Sequence, residues 1–325
     1  MIGQPCPRKS FQLPFARHKL DSRMLPVAES VAGVCIVRDA RDLIPFLCGH
    51  YLSVGFGHIA FIDDGSSDGT FEFLSGLARY TQRVSVKRVV EDQCNHRAHV
   101  TETANALISA GYEIIVPFDA DEFWSIQAHR LEELLAAQSN IAFYGKWVNF
   151  VQRRKRLLAR PFNLFGMTFR APALADANQA TITGFVRPFV SFVEKKVAFK
   201  TNSPVDLSLG QHLLLSGPNK FCDKIFEIFH LPIRSRSEIE KRGLNYEPRR
   251  AKIRADPGES WQSAFHRAIV LADKVDAVWA ANSADVSGSL DVYGTPQELT
   301  RDRRLRHLLI MATAHLLAHY RTWAF

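Results

Sequence analysis

The sequence predicts an α/β fold with a mostly parallel sheet flanked by helices, followed by a helical C-terminal extension. Between residues 31 and 118, apolar runs of strand length alternate with segments that have helical spacing. Two of these runs end in acidic loops, one beginning at Asp63 and the other at Asp119. Strands that alternate with helices favour right-handed crossovers between parallel strands.

The first half of the chain contains four predicted strands, at 34–37, 58–62, 84–90 and 113–118. Apolar residues at helical spacing predict helices between them, at 43–54, 71–80 and 100–108. Gly55 and Gly57 end the first helix, and Gly111 ends the third. Residues 1–28 are rich in Pro, Arg and Lys and form a predicted N-terminal arm, before a main domain at 29–245.

The pattern is less regular after Trp124. We expect a helix at 131–135 and short strands at 141–150, 186–192, 196–200, 213–215 and 225–229, with 186–192 and 196–200 pairing like a hairpin. The extension at 246–325 is mostly helical in this prediction. Its last segment predicts a packing face, with a membrane-surface helix as the alternative. The residues of this stripe are Leu305, Leu308, Leu309, Ala312, Leu316 and Tyr320.

Composition limits the class of protein. The 325 residues are 46% hydrophobic and 23% charged, which is ordinary for a globular protein, and no apolar run is long enough to span a membrane. The first residues lack the apolar segment that a secretory signal would contain. The five cysteines are odd in number and lack C-x-x-C spacing, so we expect reduced thiols in a cytoplasmic protein, peripheral at most on the inner membrane face.

The net charge of +8 is partly local, because the stretch from Lys146 to Arg170 carries seven basic residues and no acid. A solvated loop, an anionic substrate, anionic lipid and nucleic acid all fit such a stretch. No zinc finger or RNP-type aromatic motif is present, so we expect no nucleic acid partner. A peripheral membrane contact through the basic segments stays open.

The acidic pair Asp119 and Asp121 follows a buried strand, where two carboxylates can bind a hard divalent cation. Such a cation usually completes its shell with waters and substrate phosphates, which points to a phosphorylated donor. The upstream loop from Asp63 to Thr70 ends a strand in the same way. Helix capping by Ser66, Ser67 or Asp68 explains that loop equally well.

Three segments in this order resemble the family 2 glycosyltransferases of the GT-A type, in the bacterial branch that also resembles family 92. They are 34–39 (VCIVRD), 62–70 (IDDGSSDGT) and 118–123 (FDADEF), with 229–235 (FHLPIRS) behind them. The resemblance covers roughly residues 30–245 and implies a GT-A, Rossmann-like domain. The first segment departs from the family, since Arg38 and Asp39 stand where it usually has Asn-Glu.

This resemblance implies a nucleotide-sugar donor (a UDP- or GDP-sugar) and a Mn²⁺ or Mg²⁺ cofactor. The implied donor-binding residues are Arg38, Asp39, Asp63, Asp64, Asp119 and Arg234. The implied metal ligands are Asp119, Asp121 and His230, with His212 as an alternative. Candidates for a base that activates the acceptor are Glu227 and Asp223, with Glu194 and Asp206 also open.

The expected function is therefore metal-dependent transfer of a sugar to a glycan or lipid-linked acceptor, in surface polysaccharide or glycoconjugate synthesis. The alternative is a non-catalytic protein that binds an anionic glycan or nucleic acid. A phosphatase of the haloacid-dehalogenase kind is disfavoured, because its Asp-x-Asp follows the first strand and the pair here follows the fourth.

Overall fold

The computed structural model describes residues 27–89, 95–126, 133–154, 162–172, 194–244, 261–292 and 295–320. The predicted strand at 186–192, most of the predicted N-terminal arm and the start of the predicted helix at 131–135 lie outside these residues. The division into domains at 28 and 245 stays a prediction.

Four parallel strands form one side of the central sheet. They are β1 (Val31–Val37), β2 (His58–Asp63), β3 (Val84–Arg88) and β4 (Ile114–Pro117). Their spatial order is β4, β1, β2, β3, and every neighbouring pair is parallel. The predicted strand-helix alternation is confirmed, and all carboxyl ends of these strands meet at one edge.

Helices cover both faces of this sheet. Helices α1 (Ile44–Val54) and α2 (Thr70–Tyr80) bury apolar side chains in one core, together with Val31 and Cys35 from β1. Helix α3 (His96–Ser109) packs on the other face. These two layers confirm the predicted α/β class.

The other side of the sheet is of mixed direction. Strand β6 (Ile141–Arg153) pairs antiparallel with β8 (Lys195–Lys200) and parallel with β11 (Lys220–His230). Strand β8 also pairs antiparallel with β4 and so joins the two sides. Strand β5 (Glu122–Trp124) pairs antiparallel with the end of β11. This pairing brings the segment after Asp121 against His230.

Short elements complete the described chain. The strands are β7 (Phe169–Arg170), β9 (Asp206–Leu207), β10 (Leu214–Ser216), β12 (Ser283–Ala284), β13 (Ser289–Val292), β14 (Thr295–Glu298) and β15 (Thr300–Arg301). The helices are α4 (Arg236–Leu244), α5 (Trp261–Leu271), α6 (Val275–Ala281) and α7 (Arg304–His319), with 3₁₀ turns at Val27–Ser30, Phe162–Gly166 and Leu209–Gln211. The β13–β14 hairpin lies between helices of the segment predicted as mostly helical.

The last helix packs on α1 and belongs to the main core. Leu305, Leu309 and Ala312 are buried, which confirms the predicted packing face. A Cβ added at Gly49 of α1 would lie 2.3 Å from the Ala312 carbonyl oxygen, so glycine lets the two helix backbones approach closely. Among the residues that the structure describes, no helix is long and apolar enough to cross a membrane.

Candidate functional site

Three loops converge at the carboxyl edge of the parallel strands: 38–43 after β1, 64–69 after β2 and 118–121 after β4. Ligands of α/β proteins bind at this edge, beyond the strand ends. The predicted donor and metal residues of the first half all lie on these loops or at the ends of these strands.

The first two loops are bonded to one another. The Asp39 amide donates to Ser66 Oγ (2.9 Å), and the Ser67 amide donates to Asp39 Oδ1 (2.7 Å). Asp68 accepts from the amides of Arg41 (3.0 Å) and Thr70 (3.1 Å). Asp39 and Asp68 therefore hold the loops in place, and Asp68 also supports the first turn of α2, as the capping alternative expected.

Asp63 and Asp64 have different surroundings. The Asp63 side chain is fully buried and binds Arg88 (2.8 Å) and the Ser66 amide (3.2 Å). The Asp64 side chain is 11% exposed, and its Oδ2 lies 3.1 Å from His96 Nε2 and 3.8 Å from Arg38. Asp64 is accessible to a ligand in this conformation, and Asp63 is not.

The turn at Asp119–Asp121 is held by its own backbone and by β11. The Asp119 amide donates to Glu122 Oε2 (3.0 Å), and the Leu231 amide donates to the Asp121 carbonyl (2.9 Å). The Phe118 amide donates to the Val34 carbonyl of β1. Both carboxylates of the pair therefore project from a fixed turn.

A fully buried lysine lies beneath this turn. Lys196 Nζ is 2.5 Å from Asp119 Oδ2 and 3.3 Å from Glu122 Oε1. Glu122 is also buried and accepts a hydrogen bond from Trp147 Nε1 (2.7 Å). Burial acts to lower the pKa of Lys196, but the two carboxylates outweigh it and raise that pKa above its ordinary value, so the ammonium stays charged.

His230 ends β11 and faces the second acid of the pair. Its ring stacks on Trp147 with the centroids 4.0 Å apart, and its Nδ1 lies 2.7 Å from Asn149 Oδ1. Since an amide oxygen only accepts, Nδ1 carries the proton and Nε2 keeps its lone pair. Burial lowers the pKa of His230 to about 4, so the ring is neutral near pH 7. Nε2 lies 3.9 Å from Asp121 Oδ1.

These two atoms are close enough to converge on a shared divalent cation. Adjacent ligand atoms about 2.1 Å from an octahedral ion lie about 3 Å apart, so Asp121 Oδ1 and His230 Nε2, now 3.9 Å apart, would approach by about 0.9 Å to bind one ion. Within the described ranges, no group of three His, Cys, Asp or Glu side chains is placed to hold an ion alone. Asp121 and His230 fit a site that phosphate oxygens and waters would complete, whereas Asp119 faces Lys196.

Arginines surround Asp121. Arg242 lies 3.3 Å from Asp121 Oδ2 and is 35% exposed, while the predicted Arg234 is buried and pairs with Asp42 (3.2 Å) and Glu238 (2.7 Å). Burial acts to raise the pKa of Asp121, but the charges of His230, Arg242 and Arg234 act against it, and the net shift is downward. The charge of Lys196 lowers the pKa of Asp121 further. Arg242, which the sequence analysis missed, is the accessible cation.

The four base candidates lie in different places. Glu194 binds His212 (3.0 Å), and its carbonyl accepts from the Trp147 amide (3.0 Å). Asp206 pairs with Arg97 (2.6 Å), and Glu227 pairs with Arg304. Asp223 is on β11, and its side chain is outside the described part of the structure. Glu194 directly precedes β8, and after its hydrogen bond to His212 the charges of Lys196 and His230 are among the causes that lower its pKa.

His212 has partners at both ring nitrogens. Nδ1 lies 2.7 Å from the Lys195 carbonyl and Nε2 lies 3.0 Å from Glu194. Burial acts to lower the pKa of His212, but these partners raise it above its ordinary value, which favours the imidazolium. A charged ring bound to a carboxylate suits His212 to orienting Glu194 rather than to the predicted alternative role as a metal ligand.

Some of the basic side chains between Lys146 and Arg170 contact other parts of the protein. Arg153 lies over the Phe169 ring (5.2 Å), and Arg154 donates to the Ala280 carbonyl (2.9 Å). The two ends of the stretch, Lys146 and Arg170, line a cavity of about 370 Å³. The remaining cations of the stretch, at 155, 156 and 160, are outside the described residues.

No protein-family model matches this chain, and no curated protein matches it. Distant solved structures cover 90% of it. They include S. aureus TarS 1-349 (13% identity, 89% of that chain, TM-score 0.34) and the same protein in complex with UDP (12%, 89%, 0.32). A third is the mannosyltransferase PcManGT from Pyrobaculum calidifontis in complex with GDP-Man and Mn2+ (14%, 88%, 0.35). These likenesses are too distant to assign a function.

Proposed function

We propose that this chain is a glycosyltransferase that takes a sugar from a nucleotide-diphosphate donor in the presence of Mn²⁺ or Mg²⁺. The observation that carries the proposal is the pairing of Asp121 with the neutral His230, 3.9 Å apart, at the carboxyl edge of the parallel strands. Asp64 lies on the adjacent loop of that edge. A carboxylate for the nucleoside and a carboxylate–imidazole pair for a metal-bound diphosphate are what such a donor needs.

On this proposal the nucleoside binds at the loops after β1 and β2. Asp64 accepts a hydrogen bond from the base or the ribose, and Arg38 and His96 hold its carboxylate in place. Asp39 and Asp63 act indirectly, because their oxygens bind the Ser67 amide and Arg88. The loop is thereby fixed before the donor arrives, which lowers the entropy cost of binding.

The diphosphate lies over Asp121. A cation held there by Asp121 and His230 would supply Lewis-acid assistance to the departing nucleotide. Arg242 is exposed enough to donate to a phosphate oxygen, and charge-assisted bonds of this kind are the strong ones. Lys196 fixes Asp119, so that its second oxygen can accept from the ribose or from a water.

Glu194 is the best placed to deprotonate the acceptor hydroxyl among the three candidates whose side chains the structure describes. It directly precedes β8, and its partner His212 packs edge-on against Trp147 with ring centroids 6.0 Å apart. Its hydrogen bond to His212 is the main cause that lowers the pKa of Glu194, although burial acts in the opposite direction. The carboxylate is therefore ionised over the neutral range, as a base requires.

The acceptor proposed here is a glycan or a lipid-linked sugar, in surface polysaccharide or glycoconjugate synthesis. Ile310, Met311 and Leu317 are exposed on α7 near Arg306, an arrangement that suits peripheral contact with the cytoplasmic membrane face. The alternative is a non-catalytic binding protein, and the cavity that Lys146 and Arg170 line would hold an anionic ligand in such a protein as well as in a transferase.

Calorimetric titration with UDP and GDP, with and without Mn²⁺, tests the proposal. We expect one nucleotide to bind only with Mn²⁺, and Asp121→Ala to abolish that binding. Asp276→Ala removes an exposed carboxylate of α6 and serves as the matched control, with unchanged binding expected. A folded wild-type chain that binds neither nucleotide would contradict the transferase and leave the binding protein.

A further inference from the structure

The cavity beside β6 combines two cations with an apolar floor. Lys146 comes from β6 and Arg170 from β7, and Ile225, Pro172 and Thr300 complete much of the lining. Its volume of about 370 Å³ lies within the range of small-molecule sites, about 300–1,000 Å³. Residues of β6, β7, β11 and β15, with the segment that follows β7, therefore build one concave surface.

The cavity lining also contains one acid, Glu227, which pairs with Arg304. Within the described residues, Lys146 and Arg170 make no ion pair and no side-chain hydrogen bond. Glu227 is the register partner of Lys146 on the neighbouring strand, but its carboxylate binds Arg304 instead. Burial acts to raise the pKa of Asp302, but Arg304 and, to a smaller extent, Arg170 lower it, and Asp302 itself binds Arg304 at 2.7 Å.

Two positive charges that form no ion pair among the described residues favour a ligand with about two negative charges. A phosphate group matches them better than a single carboxylate, because guanidinium and ammonium donors both bind phosphate oxygens. Thr300 adds a hydroxyl to the lining, and Ile225 offers an apolar surface for the carbon skeleton that bears the phosphate. The lining thus has the chemistry of a site for a phosphorylated organic molecule.

The cavity shares residues with the candidate catalytic site. Trp147 and Asn149 line it, and the same two residues stack on and hydrogen-bond to His230. Trp147 also donates to Glu122 beneath the Asp119–Asp121 turn. A ligand in the cavity would therefore lie against β6, the strand that also supports His230.

We propose that this cavity binds a phosphate group of the acceptor, through Lys146 and Arg170. The inference rests on the proposed transferase function and adds the acceptor's chemical class to it. The phosphate belongs either to a soluble or polymeric glycan or to a lipid, and the same two cations would recognise both.

Glycerol 3-phosphate is the soluble probe, with glycerol as its uncharged control, each titrated into the full chain by NMR. Lys146→Gln and Arg170→Gln each remove one charge, and Lys146→Arg keeps it. Lys220→Gln removes an exposed charge from β11 outside the cavity. We expect Lys146→Gln and Arg170→Gln each to weaken phosphate binding about tenfold. We expect Lys146→Arg and Lys220→Gln to leave the affinity within about twofold of the wild type.

A second arm uses phosphatidylcholine vesicles with and without phosphatidic acid in a sedimentation assay. Vesicle binding that needs phosphatidic acid and is lost in Lys146→Gln, with no binding of glycerol 3-phosphate, assigns the phosphate to a lipid. Binding of glycerol 3-phosphate lost in the same variant assigns it to a soluble or polymeric acceptor. The proposal is overturned if the wild type binds neither glycerol 3-phosphate nor phosphatidic acid vesicles. It is also overturned if Lys146→Gln and Arg170→Gln retain the binding.

Nucleotide titrations on the same variants separate this inference from the transferase itself. We expect Lys146→Gln to keep the UDP or GDP affinity of the wild type, and Asp121→Ala to keep the affinity for glycerol 3-phosphate. If the wild type binds glycerol 3-phosphate but neither nucleotide, the transferase proposal is contradicted and the phosphate site stands. Loss of the phosphate site alone leaves the transferase with another acceptor.

Discussion

Lys196 Nζ lies 2.5 Å from Asp119 Oδ2, and the ammonium is fully buried beneath the Asp119–Asp121 turn. The same nitrogen lies 3.3 Å from Glu122 Oε1. The first acid of the pair thus has a permanent cation of the protein beside it, and only the second acid faces His230. The two carboxylates therefore have different roles: Asp119 is fixed by the protein, and Asp121 is available to a ligand.

Replacing Lys196 by Met should destabilise the protein strongly. The substitution leaves Asp119 and the fully buried Glu122 without their cation, and removal of one partner of a buried ion pair costs about 3–5 kcal/mol. Urea unfolding followed by fluorescence measures this loss as a shift of the midpoint.

The adjacent Lys195 provides the control, because its side chain is exposed and lies 5.4 Å over the Tyr144 ring. Lys195→Met should change the free energy of unfolding by about 0.5 kcal/mol or less. The double variant Lys196→Met with Glu122→Gln removes one of the stranded charges and should recover part of the loss. Equal stability of all four proteins would show that the buried contact contributes nothing.

The two adjacent acids after β2 should separate stability from binding. Asp63→Asn breaks the buried bond to Arg88 and should cost about 2 kcal/mol of stability. Asp64→Asn changes a carboxylate at the mouth of the site and should weaken nucleotide binding about tenfold with little loss of stability. Thermal unfolding and calorimetry of both variants check this, and the reverse outcome would assign the nucleoside to Asp63.

The sequence pattern alone predicts which loops lie at the sheet edge that carries the site. The strand before Asp63 and the strand before Asp119 are continuous apolar runs, and parallel strands place their following loops together. The positions of Asp64 and Asp121 at one edge were therefore predictable. The choice between Asp63 and Asp64 was not, because it depends on which side chain meets Arg88.

The residues that complete the site come from strands far apart in the chain. Trp147, Lys196 and His230 lie on β6, β8 and β11, whose pairing register brings them together. A register is set by packing over many residues, and a shift by one residue moves every side chain to the other face. The only local signal for Lys196 was a lysine within a short apolar strand, which an exposed edge would also explain.

Protein stability should fall as the pH falls from about 6.5 to about 4, in part because of His50. This ring is buried in α1 with Nε2 2.8 Å from the Trp124 carbonyl, and burial lowers the pKa of His50 to about 4. In the unfolded chain the pKa is about 6.5, so only the unfolded state binds the proton in this window. This difference lowers the free energy of unfolding by about 3 kcal/mol below pH 4, and it has no effect above pH 7.

His50→Gln keeps a donor for the Trp124 carbonyl and removes the titration. Urea midpoints at pH 7.5 and 4.5 should therefore differ less in this variant than in the wild type. His307→Gln, on the exposed side of α7, should retain the full difference. A wild-type difference that His50→Gln leaves unchanged would place the pH dependence in other groups.

Glu194→Gln should reduce turnover without changing donor binding. A general base contributes about 10²–10⁴ to the rate, and glutamine cannot accept the acceptor's proton. Release of free nucleotide from a donor panel, with membrane extract as the source of acceptor, measures the rate. Glu227→Gln is the matched comparison, because Glu227 is the other described glutamate among the candidates and is held by Arg304. A loss confined to Glu227→Gln would move the base to the cavity side of β11, whereas a loss in Glu194→Gln with unchanged UDP or GDP affinity would place it beside Lys196.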